Sequence, residues 1–216
     1  MTAATEERHV RRYEAFSDVV IGFSLAQLGV SLAVPAKAAD LFANPWWLVA
    51  FFWAFAMICA MWWFHHRFFA ALFVPVTSLV LINFVWLAVV VLCVYTTQIT
   101  VRFPTETGVW RMYYILFGLA YGLLALSYRI ALRLRAGTLN EAARFAAQRA
   151  YAFMLLWTLP FAVCTVALFV FPWGALSGMT IWVTFTATGI ASAVLGRRLR
   201  RREAALAREP AATLSG

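Results

Sequence analysis

The sequence predicts an all-α, polytopic membrane protein with six transmembrane helices. Three observations carry that expectation. The chain of 216 residues is 64% hydrophobic and only 12% charged, with a mean hydropathy of +0.79, whereas soluble globular domains are about one quarter charged. Six apolar runs approach the roughly 20 residues that span a bilayer. Prolines at Pro35, Pro45, Pro75, Pro104 and Pro172 separate those runs, where a missing amide donor does least harm.

The predicted spans are 13–34, 45–64, 76–94, 109–132, 151–171 and 176–195. The first opens with Arg12, Tyr13, Glu14, Ala15, Phe16, Ser17 and Asp18 and stops at Pro35, with Lys37 and Asp40 in the following loop. It is too long for a signal-peptide core and is expected to remain as an anchor. The second opens on Trp46 and Trp47 and closes on His65, His66 and Arg67; the third ends in the more polar Thr96, Thr97 and Gln98. Before the fifth, Asn140 at a cap position and an alanine-rich run predict a short cytoplasmic helix. Pro160 should kink the fifth span, its freed carbonyl satisfied by neighbours.

Basic residues sort by side. The segment 1–12, the second and fourth loops and the tail 197–216 hold fifteen of the eighteen Lys and Arg residues; Lys37, Arg102 and Arg111 fall on the other side. The positive-inside rule therefore puts both termini in the cytoplasm, as an even number of spans requires. The same placement explains the net charge of +9 as topology and headgroup anchoring rather than a nucleic-acid footprint. Cys59, Cys93 and Cys164 stand alone in apolar runs, without the paired spacing of a metal or redox site. No cofactor is implied. Gly118 and Gly122 form a GxxxG pattern that allows close helix approach, and Thr184, Thr188 and Ser192 make a small-residue stripe on the sixth span.

On the first helix, about 100° per residue sets Ile21, Leu25, Leu28, Gly29 and Leu32 on the side of Asp18. Phe23, Gln27, Val30 and Val34 form a stripe nearly opposite, with Ala26 at its margin. Ionisable groups at a membrane edge are costly unless partnered and point to function, although acids also suit the first turns of any helix.

Arg12, Phe16, Ser17 and Asp18 reproduce the Arg-x-x-x-Phe-Ser-Asp signature at the head of the first helix in the transmembrane-protein-175 family of potassium channels. Trp62 through Arg67 resembles the tryptophan–histidine end of that family's second helix, and Asn83 resembles a third-helix asparagine. The resemblance covers about the first half of the chain. It implies a leak-type, potassium-preferring cation channel with protons as a second permeant, in a bacterial inner membrane. It also implies a symmetric homotetramer in which four copies of helix 1 line the pore, since one such helix cannot enclose a passage. On that resemblance Phe23, Ala26, Gln27, Val30 and Val34 line the pore, Phe23 standing where the family's hydrophobic constriction lies. Arg12, Phe16, Ser17, Asp18, Trp62, His65 and Asn83 join a structural polar network.

The chain departs from the family pattern at the constriction. Phe23 replaces the usual leucine or isoleucine, Ala26 falls where a threonine is frequent, and Gln27 is added; no Thr-Val-Gly-Tyr-Gly filter is present. Two other functions remain in view. A proton-coupled or non-conducting transporter predicts inverted repeats and broken helices. A membrane enzyme would have to work with Glu14, Asp18, His65 and His66, without a second metal-spaced carboxylate or a nucleophile motif.

Overall fold

The computed structural model describes residues 3–30, 46–171 and 174–206. Six helices follow one another: α1 Ala3–Val30, α2 Trp46–Ala71, α3 Thr77–Arg102, α4 Thr107–Leu134, α5 Glu141–Val170 and α6 Ala175–Leu206. Among the described residues there is no strand. Helices α2 to α6 each hold a segment long and apolar enough to cross a membrane. The described part of α1 does not reach that level, because Arg8, Arg11, Arg12, Glu14 and Asp18 occupy it. Residues 31–34, which complete the expected first span, and the expected stop at Pro35 lie outside the described residues, as do Lys37, Asp40, Pro45 and Pro172.

The helices overrun the apolar runs that reveal them. His65, His66 and Arg67 belong to α2, which continues to Ala71, and not to the loop expected there. Nothing after Phe64 breaks a helix before Pro75, and Phe68 and Phe69 are buried. The end of α2 is fixed from a distance: Arg135 donates to the Phe73 carbonyl at 3.2 Å and to that of Ala71 at 3.5 Å. Likewise α3 does not fray at Thr96. The hydroxyls of Thr96, Thr97 and Thr100 donate to the carbonyls of Leu92, Cys93 and Thr96 at 2.8–2.9 Å, so three polar side chains cost the apolar interior little. The predicted short helix and the fifth span are one helix, begun by the Asn140 side chain accepting from the Ala143 amide at 2.8 Å. Pro160 lies buried within it without ending it.

Helices α3, α4 and α5 form the packed centre, α1 lies against α2 and α3, and α6 against α5. The core is aromatic, and its polar atoms are satisfied by backbone. The Trp86 indole donates to the Ala120 carbonyl at 3.0 Å and the Tyr128 hydroxyl to that of Phe64 at 2.8 Å. Arg111 donates twice to the Leu168 carbonyl, at 2.7 and 3.0 Å, closing the C-terminal end of α5 with a charge that suits the helix dipole.

Of the expected GxxxG pair, Gly118 is the close-approach position. A Cβ there would sit 3.0 Å from the Cβ of Phe161, whereas one at Gly122 meets only a methyl of Thr158 at 3.9 Å. Gly118→Val should therefore destabilise the protein by about 1–3 kcal/mol through overpacking, while Gly122→Ala should leave it unchanged or slightly more stable. Thermal unfolding in detergent separates the two; equal melting temperatures for both variants would contradict this packing.

Candidate functional site

Helix α1 has two unlike faces. Ser17, Ile21, Ser24 and Leu28 are buried against the bundle, and Leu25 and Gly29 are half-buried. That stripe recurs every three to four residues, as one side of a helix must. The Ser17 and Ser24 hydroxyls donate to the carbonyls of Tyr13 and Val20 at 2.9 and 2.8 Å, so neither leaves an unmade bond.

A hydrogen-bonded chain ties this face to α2 and α3. The Asn83 amide nitrogen donates to Ser17 Oγ at 3.1 Å, which leaves Asn83 Oδ1 to accept from His65 Nε2 at 2.8 Å. His65 is therefore the Nε2–H tautomer, with its Nδ1 buried and without a hydrogen-bond partner. Its ring stacks on Trp86 at 4.4 Å between centroids and 5° between planes. All three polar members are buried. At the rim the Trp62 indole donates to Asp18 Oδ1 at 2.9 Å. His66 stacks on Trp62 and brings its Nδ1 to 3.0 Å from Glu14 Oε1, without hydrogen-bond geometry.

The structure thus brings together Ser17, Asp18, Trp62, His65 and Asn83. Arg12 is exposed and stands outside these contacts among the described residues. Phe16 meets Phe84 edge-on at 6.0 Å rather than any polar member. Sequence reasoning missed three participants. Ser24 repeats Ser17 seven residues on, hence on the same face, and His66 follows Trp62 by one turn toward Glu14; both spacings were visible. The third, Gln98, donates to the Gln27 carbonyl at 3.4 Å, and no local pattern announces it.

The opposite face of α1 is bare in the single subunit. Phe23 is 74% exposed and Val30 78%, with Phe16, Val19, Ala26 and Gln27 exposed beside them. Val34 lies outside the described residues. The Gln27 side chain has no hydrogen-bond partner among the described residues. An unpartnered amide in hydrocarbon costs roughly 1–3 kcal/mol, so this face suits water or another subunit better than lipid. No group of three or more metal-ligating side chains occurs among the described residues.

Comparison with known proteins bears on the fold. Residues 12–93 match the family described as "Endosomal/lysosomal potassium channel TMEM175"; this segment holds both faces of α1, all of described α2 and most of α3. Among solved structures the chain is similar to a variant of the potassium channel MtTMEM175 in complex with a nanobody–MBP fusion. The two are 20% identical over 86% of this chain and 93% of that one, with a TM-score of 0.65. It is similar also to a lysosomal potassium-selective channel TMEM175 homolog from Chamaesiphon minutus, 17% identical over 89% and 98% of the two chains, again at 0.65. The fold is therefore that of these channels. No curated protein matches the chain.

Proposed function

We propose that this chain is one subunit of a homotetrameric, potassium-preferring cation channel of the leak type, with protons as a second permeant. Four copies of α1 surround the axis, their Phe23, Ala26, Gln27 and Val30 side chains facing the passage. The observation that carries this reading is the two-faced α1. Its polar side is clamped to α2 and α3 by Asn83, His65 and Trp62, while its other side offers a bulky aromatic and an unpartnered amide to whatever lies outside the subunit. A ring of apolar side chains stops ions by excluding stable water until it widens. The described helices are continuous, which favours a passage around an axis over a transporter built on broken helices. Neither carboxylates at metal spacing nor a nucleophile supports an enzyme. The distribution of arginine supports cytoplasmic termini, and the resemblance to single-repeat bacterial channels supports a bacterial inner membrane.

Two measurements test the proposal. The detergent-solubilised particle should contain protein mass equal to four 24.3 kDa chains. Proteoliposomes loaded with potassium should release it without an added ionophore, faster than protein-free liposomes. A monomeric particle, or identical leak with and without protein across a range of ion gradients and pH, overturns it.

A further inference from the structure

The exposed face of α1 is neutral as well as mainly apolar. No charged residue follows Asp18 in the described part of the helix, residues 19–30, and Asp18 itself accepts from the Trp62 indole on the other side. Two groups are left to meet a cation here. The Phe23 ring is 74% exposed and meets no other ring among the described residues. Gln27 follows one turn later, about 6 Å along the helix axis. It is exposed, and its amide oxygen has no donor among the described residues.

Such groups sort cations by their hydration. A small inorganic ion gives up tightly bound water on entering, and a charge buried without a charged partner is costly. A quaternary ammonium carries its charge beneath methyl groups and sheds little water. The face of an aromatic ring is negative, and quaternary ammonium ions are the ligands that aromatic cages recognise. A neck that excludes stable water therefore turns away ions that keep their shell, but not a cation whose own surface is apolar.

One exposed ring is a weak site, and a cage needs several. A cyclic axis supplies them, by setting four Phe23 rings at one level and four Gln27 oxygens about 6 Å beyond. A leucine or isoleucine at this position would give the same apolar neck without the negative faces.

We propose that the Phe23 and Gln27 side chains, in the tetramer on which this inference rests, form a binding site for one small quaternary ammonium ion, which plugs the passage at its neck.

Saturation-transfer NMR of the detergent-solubilised particle with choline tests this apart from conduction. The methyl signal of choline should respond, whereas that of dimethylbutanol, which has the same shape without the charge, should not. Trifluorophenylalanine at position 23 keeps the ring but drains its face, and should weaken choline binding at least tenfold. Phe23→Leu should do the same, while Phe23→Tyr should bind within about threefold of the wild type. In proteoliposomes, choline at the concentrations that bind should slow potassium release. A particle of one chain overturns the channel and this site together. A particle with the mass of four chains that leaves choline silent, or binds it equally with the fluorinated ring, overturns the site and leaves the channel standing. Binding that leaves potassium release unchanged also overturns it, since the ion then sits off the passage.

Discussion

Proteoliposomes carrying Phe23→Ala should release potassium at least tenfold faster than those carrying the wild type. In the proposed tetramer four Phe23 rings converge on the axis, and each is 74% exposed on its own subunit, so no intramolecular packing is lost when the ring is removed. Alanine leaves a wider and less apolar neck in which water is stable, and a barrier set by dewetting falls steeply once water persists. The exposed position also predicts little change in subunit stability, as for most surface substitutions. Phe23→Leu, restoring an apolar constriction of smaller girth, should fall between the two. Unchanged flux from Phe23→Ala, in a particle that still has the mass of four chains, would mean that the neck is elsewhere or that this face meets lipid.

Much of the arrangement around α1 was legible in the sequence because a helix buried on one side writes a 3.6-residue period into its residues. Ile21 and Leu28 were assigned to the Asp18 side and are buried; Phe23, Gln27 and Val30 were set opposite and are exposed. Helix ends were less legible, since hydropathy marks where the membrane stops and not where the helix does. Phe64 closes the apolar run of α2, but the helix ends at Ala71, where Arg135 donates to the carbonyls of Ala71 and Phe73 from more than sixty residues away. Contacts between helices were legible only where a motif named both partners. His65 and Asn83 were set in one polar network through the family pattern, while Glu14 and His66 meet because of the crossing of α1 and α2, which no single-helix period encodes.

The asymmetry of α1 has a mechanical consequence. Its exposed face can serve a passage only if the buried face is held, and the described contacts holding it are few. They include one buried polar chain, two rim contacts from Trp62 and His66, the long Gln98 bond, the ring contacts of Tyr13 and Phe16 with Phe73 and Phe84, and the apolar stripe of Ile21 and Leu28. An apolar stripe alone resists sliding poorly, because neighbouring registers bury similar area. The Asn83–Ser17 bond fixes the register, since a shift of α1 by one residue leaves the buried Asn83 amide without its acceptor, while the His65–Asn83 bond between α2 and α3 stays as it is.

Asn83→Leu should therefore be the most destabilising single change at this site, by about 2–4 kcal/mol. Leucine has a similar volume, so the loss is not one of packing. It comes from the Nε2–H of His65 and the Oγ of Ser17, each left without its partner in a dry environment at roughly 1–3 kcal/mol; Ser17 keeps its own bond to the Tyr13 carbonyl, which holds its share to the low end. Trp62→Phe provides the contrast. It removes a bond of similar length, 2.9 Å to Asp18, but one exposed at the rim, where water replaces it and the expected cost is below about 1 kcal/mol. Thermal unfolding of the two variants in the same detergent orders them directly. A Trp62→Phe melting temperature at or below that of Asn83→Leu would show that α1 is held from the rim, and the buried chain would lose its role in setting the register of the proposed pore helix.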